Sequence, residues 1–193
     1  MLRSHLIKKI IFLDFDGVLN TEHYQNYLMY ERKPRQDKHG VLFDPEAVRQ
    51  LKQIVDVTKA DIVIESSWKY LGLAAMQEMW KERDLPGKVT GITDSSVSDN
   101  WLLTANLDDI DPAMGHCNGM EVASWLADYT KNDVRYVIID DEYVCLESQV
   151  PHFILTNPYD GITEDIADRV IAILEQYFFQ RNTKFMELCP HSA

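Results

Sequence analysis

Cationic side chains are scarce in this chain: 19 Lys and Arg stand against 31 Asp and Glu, a formal net charge of −12. So acidic a surface repels nucleic acid and acidic membranes unless a local basic patch overrides it. The richest such patch is Arg32, Lys33, Arg35 and Lys38, for which a solvated loop is the plainer reading. Cysteine is scarcer still. Cys117, Cys145 and Cys189 are odd in number and form no CxxC pair, which argues against a disulfide framework and for reduced thiols in the cytoplasm. Long apolar runs are missing too. Residues 6–13 are interrupted by Lys8 and Lys9 and followed by Asp14, too short and broken for a signal peptide or a membrane span, so no membrane partner is expected. The chain has no Walker A loop and no GxGxxG, which leaves nucleotide binding of those kinds without support. Repeats and low-complexity segments are also absent.

What remains is ordinary globular composition, 46% hydrophobic and 26% charged, enough for one compact domain over residues 1–193. Apolar runs alternate with amphipathic stretches. Strands are expected at 8–13, 61–65, 89–92 and 134–139, with a weaker one at 153–156. Helices are expected from Pro45, behind the N-cap Asp44, to about Thr58, then at about 68–83, 119–129 and 162–180. A turn falls at Pro86-Gly87, and residues 94–118 read as a long surface loop. Strands separated by helices argue for an α/β fold, a three-layer α/β/α Rossmann-like sandwich around a mainly parallel sheet. In such sheets ligands bind beyond the carboxyl ends of the strands.

The chemistry-bearing residues lie there. After the first strand come Asp14-Phe15-Asp16-Gly17-Val18. Two carboxylates one residue apart can face one site, Gly17 permits a tight turn, and their repulsion calls for a cation. Mg²⁺, a hard ion with oxygen ligands, suits them. After the second strand come Ser66, Ser67, Trp68 and Lys69, hydroxyls and backbone N–H groups that suit a phosphate, although Ser66 serves equally as a helix N-cap. After Tyr136-Val137-Ile138-Ile139 come Asp140, Asp141 and Glu142, within reach of Asp14 and Asp16 if the strands are neighbours.

FLDFDGVLN, the serine after the second strand and IIDDE together resemble motifs I, II and IV of the haloacid dehalogenase superfamily. More narrowly, IESSW, GMEVASWL, YVIIDDE and HFILTN…GIT resemble a small bacterial subgroup, the haloacid dehalogenase domains of RNA-repair proteins. The resemblance implies a Mg²⁺-dependent phosphohydrolase. In it Asp14 attacks phosphorus and forms an aspartyl-phosphate, and Asp16 protonates the leaving group and then activates water. Mg²⁺ would be held by Asp14, the backbone carbonyl of Asp16, Asp140, and Asp141 directly or through water. Ser66 would bind a phosphoryl oxygen.

One departure stands out. The superfamily places a Lys or Arg at the start of the helix before the third strong strand, and residues 115–119 here contain none; Asn118 takes that place. Lys69 or His116 could supply the charge, although an exposed helical lysine and a loop histidine are the plainer readings. Residues 20–43 are too short for a large cap, so an open site with little or no cap is expected, able to admit a small phosphorylated molecule or a macromolecular end. Two alternatives stay open: a weak or inactive domain that binds a phosphorylated partner, and a nucleic-acid end phosphatase, which the net charge does not support. Tyr24, Tyr27 and Tyr30 could stack bases but read more plainly as a helix face packed on the domain. Cys189-Pro190-His191 reads as a tail rather than a zinc site.

Overall fold

The computed structural model describes residues 7–96, 118–129 and 134–175. Its centre is a five-stranded parallel sheet, ordered across as Val89–Ile92, Asp61–Ile64, Lys8–Leu13, Val134–Asp140 and Phe153–Leu155. These strands are β1 (Lys8–Leu13), β4 (Asp61–Ile64), β5 (Val89–Ile92), β6 (Val134–Asp140) and β7 (Phe153–Leu155). The central strand β1 pairs with β4 on one side and β6 on the other, and its last four residues, Ile10 to Leu13, are wholly buried. A strand covered on both faces must be apolar throughout rather than alternating, as KKIIFL is beyond its lysines.

Alternate residues of β1 feed two cores. Ile11 and Leu13 pack with α2 (Pro45–Thr58), α3 (Leu73–Glu82) and α5 (Glu164–Glu175) through Leu51, Ile54, Met79 and Val170. Ile10 and Phe12 face the other way, onto Val122 and Trp125 of α4 (Asn118–Tyr129). This gives an α/β/α sandwich of three layers. Among the described residues, no helix is long and apolar enough to cross a membrane.

Helix α2 begins as its local signals dictate. The Asp44 carboxylate accepts from the Glu46 N–H at 2.8 Å, and Pro45 needs no partner for a missing N–H. The helix expected over 68–83 is instead two pieces, a 3-10 turn at Ser67–Leu71 and α3, broken at Gly72. Gly72 lies at φ 85°, left-handed backbone that cannot continue a right-handed helix. Between β1 and α2 stand only α1 (Glu22–Tyr30) and a hairpin of two-residue strands, β2 (Gln36–Asp37) and β3 (Gly40–Val41). No large cap arises from this segment. The tyrosines of α1 differ from expectation: Tyr27 and Tyr30 are exposed, and the helix buries Leu28 alone. In the basic run after it, Lys33 lies over the Tyr27 ring and Lys38 pairs with Glu82. His116, Cys117, the 189–191 tail, most of the expected loop at 94–118 and the end of the last helix beyond 175 lie outside the described residues.

Candidate active site

The strand registers bring the candidate residues to one level. Leu13 is paired with Ile64 and with Ile139, and Ile64 with Ile92. The next residue of each strand or its extension therefore emerges in a row: Thr93, Glu65, Asp14 and Asp140. Backbone bonds extend the ladder past the strand ends, with Asp14 N–H donating to Ile139 O and Glu65 N–H to Leu13 O, both at 3.1 Å. Adjacent strands lie about 4.8 Å apart, so side chains in such a row must interact. They floor an open cleft of about 790 Å³, whose walls include Lys69, Asn118 and Asp141.

Three carboxylates meet in it. Asp14, Asp140 and Asp141 each offer an oxygen, and all three lie within 4.8 Å of one another. Gly17 makes room for this. It sits at φ 67°, and a Cβ there would fall 2.2 Å from Asp141 Oδ2. Thr156 secures the same turn from β7, its hydroxyl donating to Gly17 O at 3.0 Å.

The electrostatics record the crowding. Burial, then the Asp140 charge, push Asp14 up to about 7, against the pull of the Ser66 hydroxyl and the Phe15 N–H. Burial also raises Asp140 and Asp141, the latter helped by the charges of Asp140 and Glu142. Glu65 is pushed up as well. It is 1% exposed, and burial and the carboxylates of Asp140 and Asp14 hold its proton well above the usual range. Neither of its oxygens has a hydrogen-bond partner, so no donor makes up for the water that an ionised carboxylate would lose there. Carboxyls that resist ionisation together are what a hard divalent cation relieves, and the donor set, all oxygen, fits Mg²⁺.

Asp16 departs from the expected convergence. Its carboxylate is not among the three; it is exposed and tied elsewhere. The Asn20 amide donates to Oδ1 at 2.5 Å and the Trp68 indole N–H to Oδ2 at 3.1 Å. Ser66 is fully buried; its hydroxyl caps the turn after β4, accepting from the Trp68 N–H at 3.5 Å, and favours the ionised form of Asp14. Asn118, the first residue of α4, donates from its amide to Asp140 Oδ2 at 3.2 Å.

Lys69 is no exposed helical lysine. Its side chain is 12% exposed and makes an ion pair with Glu121 of α4, itself 5% exposed. Its ammonium also donates to Thr93 Oγ1 at 2.9 Å and to Glu65 O at 3.1 Å. Glu121, Thr93, Glu65 and Asn20 are not among the site residues expected from the sequence, and Trp68 is there only for its backbone N–H, not for its indole. Glu65 alone carried a local signal, a carboxylate directly beyond Ile62-Val63-Ile64 where burial is expected.

No curated protein matches the chain. A family model does, over residues 10–167, described as the HAD domain in Swiss Army Knife RNA repair proteins. That span runs from β1 into α5 and takes in every residue of the acidic cluster and its surroundings. The chain belongs to this family of haloacid dehalogenase domains.

Proposed function

We propose that the protein is a Mg²⁺-dependent phosphomonoester hydrolase working through an aspartyl-phosphate on Asp14. The observation that carries this reading is the meeting of Asp14, Asp140 and Asp141 within 4.8 Å at the ends of β1 and β6. Asp14, Asp140 and Asp141 would hold the ion, which when bound offsets the charge of the phosphoryl group and of the carboxylates around it.

The chain's own residues would act as follows. Asp14, ionised in the loaded site, attacks phosphorus with one carboxylate oxygen, and the bond from phosphorus to the leaving-group oxygen breaks. Asp16 gives its proton to that oxygen as it departs. Asp16, now a carboxylate, takes a proton from water as the water oxygen attacks phosphorus, and the bond to Asp14 breaks to release phosphate. Ser66 keeps Asp14 oriented through its hydroxyl, while Lys69 and Asn118 line the phosphate side of the cleft.

The matched family's description concerns RNA repair proteins, and this favours a phosphorylated RNA end over a small metabolite as substrate. The small excursion between β1 and α2 is consistent with a bulky substrate. Purified protein should release phosphate from an end-phosphorylated oligoribonucleotide with Mg²⁺ and lose the activity in Asp14→Asn. Near-normal turnover by that variant would refute Asp14 as nucleophile. Release from small esters alone, insensitive to salt, would remove the nucleic-acid end, whose contacts weaken steeply with salt.

A further inference from the structure

We infer that Trp68 is a positioning residue for Asp16, and that the β2–β3 hairpin is the clamp that sets the indole in place. The inference rests on the proposed reaction for what Asp16 does, and on geometry alone for how Asp16 is held.

Asp16 is exposed, three residues past the end of β1, where an isolated backbone bridge to Asn20 replaces the sheet. An exposed aspartate samples several rotamers, and a proton donor that wanders is a poor catalyst, because transfer needs the donor oxygen within hydrogen-bond reach of the leaving group. Two neutral donors remove that freedom here. Asn20 and Trp68 each hold one carboxylate oxygen, so rotation about the carboxylate breaks at least one bond. Each oxygen keeps a second lone pair, so the proton to be exchanged still has a seat. The same two bonds keep the Asp16 carboxylate out of the cluster formed by Asp14, Asp140 and Asp141. The Asp16 carboxylate thus stays available for proton transfer rather than for a cation, whatever its backbone carbonyl does.

The Asn20 contact is local, four residues away on the same turn. The Trp68 contact spans 52 residues and needs the indole delivered from beyond β4. Its ring is gripped on several sides. Phe15, wholly buried between the two aspartates, meets it edge-on at 5.5 Å and 87°. Phe43 lies 5.9 Å away. From the hairpin, Gly40 approaches so closely that a Cβ there would lie 2.9 Å from Cη2 of the indole. The hairpin is itself pinned. Arg83 at the end of α3 donates to both Asp37 oxygens, at 2.7 and 3.0 Å, and to Gly40 O at 3.1 Å. Its guanidinium lies over the Phe43 ring at 4.6 Å and over Trp68 at 6.0 Å. A hairpin of two-residue strands could not stand alone, and these contacts give it a load to carry. The exposed edge of the sandwich thereby reaches the proton-transfer residue.

The test compares phenyl phosphate with p-nitrophenyl phosphate, two esters of nearly the same shape. Phenol has a pKa of about 10, like tyrosine, so phenolate needs a proton to leave, whereas nitrophenolate does not. Trp68→Phe keeps a ring between Phe15 and Phe43 and deletes only the donor. Its kcat/KM, which reports the steps through leaving-group departure, should fall ~10-fold or more for phenyl phosphate and less than ~3-fold for p-nitrophenyl phosphate, within the range that general acid catalysis supplies. Gly40→Ala, which leaves the indole N–H intact but displaces the ring, should show a smaller loss of the same kind. Equal losses on both substrates, or none, would overturn the inference, since simple structural damage does not discriminate leaving groups. A second measurement needs no turnover. The Trp68 indole N–H proton, assigned by triple-resonance NMR, should sit downfield in the wild type and move upfield in Asp16→Ala. An unmoved resonance overturns the inference even if the chain is an active phosphatase. Phosphatase inactivity with a moved resonance would count against the proposed reaction and leave the clamp standing.

Discussion

Raising the pH of the metal-free protein from 5 to 8 should lower its stability, and Mg²⁺ should return what was lost. The cause is Asp14. Unfolded, its carboxyl ionises near 3.8; folded, burial and the charge of Asp140 push it up to about 7. Between those values the folded chain holds a proton that the unfolded chain has released, so stability falls as pH rises. The contribution is intact below 3.8 and lost as pH passes through 7. Each pH unit in that window costs about 1.4 kcal/mol, so the climb from 5 to 7 removes about 3 kcal/mol from Asp14 alone. Asp140, Asp141 and Glu65 are raised as well and act with the same sign. For a chain of this size 1 kcal/mol corresponds to ~2–4 °C in Tm, giving a fall of about 6–12 °C between pH 5 and 8 in EDTA. At pH 8, Mg²⁺ at about 100 times its Kd should restore about 2.7 kcal/mol. Asp14→Asn, nearly isosteric and never charged, isolates the effect from the general acidity of the surface. It should show a shallower pH slope, exceed the wild type in Tm at pH 8 in EDTA, and gain less from Mg²⁺. A wild-type Tm flat between pH 5 and 8 in EDTA, or a variant with an unchanged slope and an undiminished Mg²⁺ response, would refute the reasoning.

Other expectations follow from the same contacts. Gly17→Ala combines a left-handed backbone with a Cβ 2.2 Å from Asp141 Oδ2, and should cost about 1–3 kcal/mol in chemical denaturation while weakening the stabilisation by Mg²⁺. Asn118→Lys would set an ammonium against Asp140 Oδ2, where the amide now donates, and should raise the Mg²⁺ concentration needed for half-maximal thermal stabilisation roughly tenfold, an electrostatic cost of about 1.4 kcal/mol. Lys69→Met leaves Glu121 buried without its cation and should destabilise by about 3–5 kcal/mol, much of which the double variant Lys69→Met/Glu121→Gln should recover in a double-mutant cycle. Thr93→Ala removes one acceptor from the Lys69 ammonium, and if Lys69 serves phosphate as proposed, affinity for an anionic phosphoryl mimic should rise or hold while thermal stability falls.

The fold was legible because its signals are local. Strands at Lys8–Leu13 and Val89–Ile92 and the helix Pro45–Thr58 stand where the apolar runs and the Asp44-Pro45 cap place them. Gly72 was harder. An isolated glycine in a helical pattern is usually tolerated, and only its left-handed φ turns it into a break. The acidic cluster was legible in part: that Asp140 and Asp141 meet Asp14 follows from β1 and β6 being neighbours, which parallel topology makes natural. That Asp16 turns aside could not be read from DxDG. The deflection depends on Trp68, 52 residues on, and on a hairpin too short to announce itself. Lys69 and Glu121 are likewise 52 residues apart, on a turn and a helix with no pattern linking them.

The gap left by Asn118 then takes on a different meaning. The helix expected to deliver a cation delivers Glu121 instead, and the cation comes from the turn after β4 to meet it. An ammonium has three N–H groups, and Glu121, Thr93 and Glu65 O account for three acceptors. Lys69 therefore has no donor to spare in the empty cleft. In the proposed reaction it would serve a phosphoryl group chiefly through its charge, or exchange the neutral Thr93 bond for a charged one. Charge acts at a distance in a poorly solvated site, where a hydrogen bond must be exchanged one for one. Glu65 reinforces this. As long as its carboxyl keeps its proton, the ammonium faces one full negative charge from Glu121 rather than two, and its field remains open toward Asp14 and Asp140, where phosphate would gather. A buried acid whose oxygens find no hydrogen-bond partner thus preserves the reach of the one cation described in the cleft.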